Sequence, residues 1–117
     1  MMNNNTLKVA KKYFDLANKG DLKEIEQMFT DRSTYSSQNT GVFFGTKQIM
    51  VMMKPFFNSF KTLRWDINNV KEVSEGIVLF DFTLIGEKTS GEKISIEGLE
   101  YIIVYENKIQ HIDVRNK

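Results

Sequence analysis

The sequence has no cysteine, one proline, one histidine and no long apolar segment in its 117 residues. Without cysteine, the chain cannot form disulfides, thiolate metal sites or cysteine nucleophiles. The longest apolar runs, such as Ile49–Met53, are far shorter than the roughly 20 residues that a membrane-spanning helix needs. The first residues, MMNNNTLK, lack the basic and apolar regions of a secretory signal. We therefore expect a cytoplasmic protein that does not bind membranes.

The balance of charge excludes another class of partner. Sixteen basic and fifteen acidic residues nearly cancel, and no block of like charge occurs. Nucleic-acid binding usually needs a basic face, so the chain is predicted not to bind nucleic acid. A chain of this length forms one domain. We expect a single domain over residues 1–117, with residues 1–5 as a disordered polar tail.

The first part of the chain predicts two short amphipathic helices. Thr6 can cap the first helix, and Gly20 provides a left-handed stop at its end. Asp21, with Glu24 three residues later, has the spacing of a capping box that begins the second helix. Apolar residues recur at helical spacing in both helices: Leu7, Ala10, Tyr13, Phe14 and Ala17 in the first, and Leu22, Ile25, Met28 and Phe29 in the second.

The rest of the chain predicts a third helix and a meander of strands. Residues 33–38 form a short predicted strand, and residues 39–45 a loop. Thr46 can cap the third helix, in which Pro55 must cause a kink or an end. The apolar residues of this helix are Ile49, Met50, Met52, Met53, Phe56, Phe57 and Phe60. Alternating apolar residues then indicate four strands, at 63–67, 77–87, 92–105 and 108–115. Helices gathered before antiparallel strands are typical of an α+β domain, here in the order ααβαββββ.

This order and three local patterns resemble the nuclear-transport-factor-two-like superfamily, in its SnoaL-like and ketosteroid-isomerase-like branch. The first pattern is the helix pair with its junction Asn18-Lys19-Gly20-Asp21. The second is Gly41-Val42-Phe43-Phe44-Gly45 before the third helix, and the third is Gly98-x-Glu100-x-Ile102 with the turn before Lys108. The resemblance implies a cystatin-like cone: a curved antiparallel sheet wrapped around three helices, with an apolar pocket at its open end. It also implies a homodimer through the outer face of the sheet.

The resemblance suggests which residues could act on a substrate. Ketosteroid isomerases use a carboxylate base on the first strand, while a tyrosine and a protonated carboxylic acid hold the oxyanion. By position, Tyr13 matches the tyrosine and Glu100 matches the acid. The position of the base falls at Ser36-Ser37, and serine cannot remove a carbon-bound proton unaided. Steroid isomerisation by that mechanism is therefore not expected.

The register of the last hairpin decides which polar residues accompany Glu100. Asn suits a two-residue turn, so we favour a turn at Glu106-Asn107. Residues directly opposite each other share a face. The pairs would then be Val104 with Ile109, Ile102 with His111, and Glu100 with Asp113. This register lines up Glu100, His111 and Asp113 on the pocket face.

Two alternatives stay open at this point. A bulge or a three-residue turn would direct Ile112 and Val114 inward and His111 outward, because a one-residue slip reverses the faces of a strand. In the other alternative, His111 and Asp113 make only a cross-strand or rim interaction, and Glu100 bonds to a core hydroxyl.

A shared pocket would support acid–base chemistry. Apolar surroundings and a neighbouring carboxylate would raise the pKa of Glu100, and the imidazole of His111 could shuttle protons. We therefore predict Glu100, His111, Asp113 and Tyr13 as catalytic residues of a cofactor-independent isomerase, dehydratase or cyclase. Metal binding is not expected, because one strand face offers a poor coordination shell.

The expected ligand is a small apolar or aromatic molecule. The predicted ligand-binding residues are Trp65, Phe56, Phe60, Phe80, Phe82 and Ile102, although such residues are also common in cores. The alternative function is a non-catalytic ligand-binding or protein-interaction module. In either case a second copy would cover the outer face of the sheet, where Tyr101, Ile103, Tyr105 and Ile112 are expected.

Overall fold

The computed structural model describes residues 5–117, in which one six-stranded sheet packs against three helices. The elements, in chain order, are α1 (Asn5–Lys19), α2 (Leu22–Glu26), β1 (Thr34–Ser37), β2 (Gly41–Phe44), α3 (Gly45–Asn58), β3 (Phe60–Ser74), β4 (Ile77–Lys88), β5 (Lys93–Tyr105) and β6 (Lys108–Asn116). The strands lie in the order β2-β1-β6-β5-β4-β3. The predicted α+β cone is therefore confirmed.

The helix pair forms, but α2 ends at Glu26, so Met28 and Phe29, predicted in its apolar stripe, follow the helix and are buried there. Gly20 ends α1 with a positive φ of 68°, and Asp21 caps α2 by accepting a hydrogen bond from the Glu24 N–H at 3.2 Å. Thr6, the predicted cap of the first helix, instead lies inside α1 and is buried. The predicted tail falls on residues 1–4, which lie outside the described residues, and on Asn5, which begins α1.

The loop predicted over residues 39–45 is largely a strand, and this prediction is corrected. β2 pairs with β1 as an antiparallel hairpin, so the order is ααββαββββ. Gly41 and Gly45 have φ values of 116° and 80°, which other residues rarely adopt, and they let the chain enter and leave β2 sharply. Thr46 is not the cap of α3. The Gln48 side chain accepts a hydrogen bond from the Phe44 N–H at 2.9 Å instead.

The end of α3 also differs from the prediction. The helix continues through Pro55 to Asn58, and Phe60, predicted as helical, is the first residue of β3. The Ser59 N–H bonds to the carbonyls of Pro55 and Phe56 and closes the last turn. The Phe60 ring still packs against Phe56, with 5.3 Å between the ring centroids.

One pair of strands corrects the expectation of an antiparallel sheet. β1 pairs with β6 in parallel, with Thr34 beside His111 and Ser37 beside Val114. These strands are separated by α3 and the whole meander, and a connection of that length permits a parallel pair. β1 thus adds one short strand to the sheet beside β6 and extends its inner face.

β3 forms the far edge of the sheet and is held by α1. The Asn18 side chain makes two hydrogen bonds to the backbone of Trp65: it accepts from the Trp65 N–H at 2.8 Å and donates to the Trp65 carbonyl at 3.1 Å. The junction Asn18-Lys19-Gly20-Asp21 thus fixes α1 to the sheet edge as well as starting α2. No helix within residues 5–117 is long and apolar enough to cross a bilayer.

Candidate functional site

The β5–β6 hairpin keeps the predicted turn. Glu106 and Asn107 have positive φ values of 49° and 65°, as a two-residue turn of this kind requires. Val104 pairs with Ile109, as predicted. The ladder then shifts by one residue, and Gln110 is the extra residue of a β-bulge.

The bulge makes the favoured register wrong beyond that pair. His111 pairs with Ile103 and Asp113 with Tyr101, whereas Glu100 pairs with Val114. His111 and Asp113 therefore lie on the outer face of the sheet, and Glu100 on the inner face. The alternative with a bulge, which directs Ile112 and Val114 inward, is the one that the structure adopts.

Burial explains why the bulge prevails. Ile112 and Val114 are 0% and 6% exposed, and burying such side chains contributes about 1.5–3 kcal/mol each. The regular register would bury a carboxylate and an imidazole instead, at a large desolvation cost. The backbone groups of Ile109, next to the bulge, also have partners outside the β5–β6 ladder. The Ile109 N–H donates to the Met28 carbonyl at 2.8 Å, and the Ser33 hydroxyl donates to the Ile109 carbonyl at 2.5 Å.

The displaced polar residues find partners on the outer face. His111 Nδ1 lies 2.6 Å from Thr34 Oγ1, and Asp113 Oδ1 lies 3.0 Å from Arg115 Nε in an ion pair. Ile112, predicted on this face, is part of the core. The outer face keeps Tyr101, Ile103 and Tyr105, as predicted.

An apolar cavity opens between the inner face of the sheet and the helices. The volume open to the centre of a water molecule is about 60 Å³. This is several times the ~10–15 Å³ that one buried water needs by the same measure. Most lining residues are aromatic or aliphatic, and a few carry hydroxyl, amide or carboxyl groups. The lining consists of Tyr13, Phe14, Ala17, Tyr35, Ser37, Asn39, Thr40, Met52, Met53, Phe56, Phe57, Trp65, Ile67, Phe80, Phe82, Leu84, Glu100 and Val114.

Among the described residues, Glu100 is the one acidic residue of this lining. It is 6% exposed, and among the described residues no hydrogen bond to either carboxyl oxygen is found. The predicted alternative of a bond to a core hydroxyl is thus not realised. Burial raises the pKa of Glu100 from 4.5 to about 8, because a charged carboxylate is poorly solvated there. The carboxyl is therefore mostly neutral at pH 7.

Two tyrosines lie close enough to Glu100 to interact with it electrostatically. Burial, followed by the neighbouring Tyr35 and Glu100, raises the pKa of Tyr13. Burial and Glu100 likewise raise the pKa of Tyr35. Both phenols therefore stay protonated and can donate hydrogen bonds. The sequence reading named Tyr13 but missed Tyr35, although strand alternation from Ser37 would place Tyr35 on the same face.

The predicted ligand-binding residues divide into two groups. Phe56, Trp65, Phe80 and Phe82 line the cavity. Phe60 and Ile102 do not, since Phe60 packs behind Phe56 and Ile102 is fully buried in the core.

Gly98 shapes the same wall. A Cβ at this position would clash with the Phe82 ring and would lie 2.5 Å from the Arg115 carbonyl. The glycine thus lets the Phe82 ring approach the backbone of β5 closely. Within residues 5–117, no three His, Asp or Glu side chains are grouped as a metal site.

The expected position of a catalytic base carries a hydroxyl. Ser37 lines the cavity and Ser36 points to the outer face beside Asp113. Ser37 and the neighbouring Thr40, which also lines the cavity, were not predicted as site residues. A turn in the region read as a loop carries Thr40, which is why sequence periodicity could not place it.

Comparison with known proteins agrees with the fold. The family model of the SnoaL-like domain matches residues 10–112. No curated protein matches the sequence significantly.

Solved structures share the fold at low sequence identity. A protein described as a SnoaL-like polyketide cyclase from Jannaschia sp. CCS1 is 14% identical, with a TM-score of 0.83 over 97% of this chain and 86% of that one. An NTF2-like protein of unknown function from Burkholderia pseudomallei K96243 is 9% identical, with a TM-score of 0.86 over 99% and 92%. A protein with a ketosteroid isomerase-like fold from Catenulispora acidiphila DSM 44928, in complex with trimethylamine, is 10% identical, with a TM-score of 0.81 over 92% and 83%.

These likenesses concern the fold, while the family model covers most of the sequence. Together with the helix-pair junction, the glycine-bounded β2 and the β5–β6 hairpin, they establish the family. The chain belongs to the SnoaL-like domain family.

Proposed function

We propose that this chain binds a small, flat, apolar carbonyl compound in its cavity and carries out cofactor-independent acid–base chemistry on it, of the isomerase, dehydratase or cyclase type. The observation that carries this proposal is the buried carboxyl of Glu100, which faces an open apolar cavity without a hydrogen-bond partner among the described residues. Such a group costs stability unless a ligand completes it. A buried carboxyl with a shifted pKa in a cleft is typical of functional sites.

The protonation states favour an oxygen acceptor as the bound group. With a pKa of about 8, Glu100 is protonated in about nine of ten molecules at pH 7. Tyr13 and Tyr35 are protonated as well. The polar end of the cavity therefore presents three hydroxyl donors and little charge. A carbonyl oxygen of the ligand can accept from these donors, and it gains most when negative charge develops on it.

The proposed step is enolisation. Glu100 gives its proton to the carbonyl oxygen and becomes a carboxylate, while a water molecule takes a proton from the adjacent carbon and passes its own proton to that carboxylate. The products are the neutral enol and the restored acid, and the reverse step returns a proton from water to carbon. Tyr13 and Tyr35 donate hydrogen bonds to the same oxygen. His111 and Asp113, on the outer face, take no part.

Deuterium exchange tests the catalytic part of this proposal. We expect the protein to accelerate exchange at the carbons next to the carbonyl of 2-tetralone in D2O, followed by proton NMR. Glu100→Gln should slow this exchange by roughly 10²–10⁴-fold, as expected for the loss of a general acid. Glu97→Gln, on the outer face of the same strand, is the control and should keep the wild-type rate.

The same experiment separates an enzyme from a binder. If 2-tetralone binds but wild type and Glu100→Gln exchange it equally, Glu100 is not catalytic and the cavity serves binding alone. The non-catalytic ligand-binding module is the second candidate, and an open cavity without a second acid or base among its described lining residues favours it.

We also propose a homodimer through the outer face of the sheet. Tyr101 is 39% exposed there, beside the half-buried Leu79 and Ile103. An apolar face of this kind is usually covered by a partner, and a second copy presents the same surface. This association is compatible with either function, because it leaves the cavity open on the opposite face.

A further inference from the structure

We infer that the ligand carries a second polar group, which binds the hydroxyls of Ser37 and Thr40 on the side of the cavity away from Glu100. This inference rests on the proposed function and narrows its substrate class. It assigns a binding role to two residues of the β1–β2 hairpin that play no part in the acid–base step.

The strand order separates the two polar ends. Ser37 lies beside Val114, and Val114 lies opposite Glu100. Two strand spacings therefore separate Ser37 from Glu100, or roughly 10 Å at ~4.8 Å per strand. Inward side chains stand about perpendicular to a sheet, so their polar atoms keep much of this separation.

The hydroxyls of Ser37 and Thr40 can still form hydrogen bonds with a ligand. Thr40 Oγ1 is buried and has no hydrogen-bond partner among the described residues. Ser37 is 8% exposed, and its oxygen accepts from the Asn39 N–H at 3.1 Å. No bond donated by the Ser37 hydroxyl is found in the described part of the chain. A buried hydroxyl without a partner is costly, so a ligand atom that completes both groups would gain affinity.

The turn that carries these hydroxyls is held in place. The Asn39 side chain exchanges two hydrogen bonds with the Asn116 side chain, at 3.1 and 3.0 Å. The Gln38 side chain accepts a third from the Asn116 N–H at 2.6 Å. Asn39, although it lines the cavity, is therefore occupied with positioning. A site that is held before the ligand arrives loses little entropy on binding.

Val114 lies between the two ends in the sheet, and Phe80 lies beyond Glu100, on the side away from Ser37. The rest of the lining around both ends is largely apolar and aromatic, with Phe56, Phe57 and Trp65 contributed by α3 and β3. Within residues 5–117, no lysine or arginine lines this cavity. The fitting ligand is thus a neutral body of one or two fused rings, with a carbonyl on one side and a hydroxyl or a second carbonyl on the other.

Two ligands test whether a second polar group binds at Ser37 and Thr40. They are 2-tetralone and 6-hydroxy-2-tetralone, and the hydroxyl of the second lies across the ring system from its ketone. Trp65, the single tryptophan of the chain, lines the cavity, so quenching of its fluorescence reports binding. In the wild type, we expect the hydroxyl to tighten binding about tenfold, the effect of one well-made hydrogen bond.

Variants of Ser37 and Thr40 show whether these hydroxyls cause the tighter binding of 6-hydroxy-2-tetralone. Thr40→Val and Ser37→Ala should each reduce the advantage of 6-hydroxy-2-tetralone severalfold, and their combination should remove it. All three should bind 2-tetralone as the wild type does, which also shows that they fold. Ser36→Ala, on the outer face next to Ser37, is the matched control and should keep the full advantage.

Several outcomes overturn the inference. If exchange of 2-tetralone depends on Glu100 but the added hydroxyl gains nothing, the proposed function stands and the second polar site does not exist. If neither ketone binds, both fall. If phenyltrimethylammonium binds instead, more tightly as pH rises through 8, the cavity selects a cation by its rings and an ionised Glu100, and a neutral ligand is excluded.

Discussion

Glu100 shows how one residue can couple the site to the stability of the fold. Its pKa of about 8 in the folded chain lies above the ordinary 4.5. Between these two values the folded chain holds a proton that the unfolded chain has lost. The stability linked to the neutral carboxyl is complete below about pH 4.5 and is lost as pH rises to 8. The loss amounts to at most about 5 kcal/mol.

This linkage predicts a pH-dependent difference between wild type and Glu100→Gln. The amide is neutral at every pH, so the variant should lose less free energy of unfolding than the wild type between pH 5 and pH 8.5. Urea unfolding at several pH values measures this difference. Glu97→Gln should follow the wild type, and equal pH slopes for all three proteins would show that Glu100 is not buried as a neutral acid.

At the scale of elements, the β5–β6 hairpin shows how two local rules can compete. The turn residues Glu106 and Asn107 set a regular two-residue turn, and the apolar pattern of β6 requires Ile112 and Val114 inside. Both are satisfied only because Gln110 is inserted as a bulge. Beyond the bulge, each residue of β6 lies on the opposite face from the one that the regular turn would give it. Glu100 therefore faces the cavity without His111 beside it.

Neighbouring residues on β6 provide the test of this register. Ile112 is fully buried, so Ile112→Ala should lower the free energy of unfolding by about 2–5 kcal/mol. His111→Ala removes a half-buried ring and its contact with Thr34, and should cost no more than about 1.5 kcal/mol, the net worth of one hydrogen bond. Urea unfolding of both variants is the measurement. A larger loss of stability for His111→Ala than for Ile112→Ala would contradict the bulge and support the regular register.

The sequence predicts what depends on local pattern and fails where partners are distant. The helix pair, the strand of Ser33 to Gln38 and the meander follow from caps, turns and periodicity. The bulge does not, because it depends on Ser33 and Met28 completing the Ile109 backbone from more than seventy residues away. The same holds for Thr40, which lies in the turn after β1 and reaches the cavity through the pairing of β1 with β6.

At the scale of the whole molecule, the two faces of the sheet differ in their surroundings. The inner face and the helices enclose the cavity, whereas the outer face carries the exposed Tyr101 and the half-buried Leu79 and Ile103. The same face also carries the polar residues that the bulge moved outward. A dimer formed there would place the two cavities on opposite sides of the assembly.

The proposed dimer can be tested at a single position. Light scattering after gel filtration should give twice the 13.6 kDa chain mass for the wild type and one chain mass for Tyr101→Lys, because a buried, unpaired ammonium is costly. Val51→Lys changes an exposed apolar residue of α3 and should leave the mass unchanged. A wild-type protein that is still monomeric at about 50 μM, above the micromolar Kd of the weaker interfaces of standard size, contradicts the proposal.

The bonds from Asn18 to Trp65 have a consequence for how the chain avoids aggregation. β3 is a long edge strand, and an unpaired edge can recruit a strand from another molecule. At Trp65, Asn18 occupies the backbone groups that such a strand would use, and irregular pairing at Asn68 to Lys71 distorts the edge beyond it. This protection exists only after α1 has docked. During refolding, the interval before α1 reaches the sheet is therefore when copies of this chain are most exposed to edge-to-edge association.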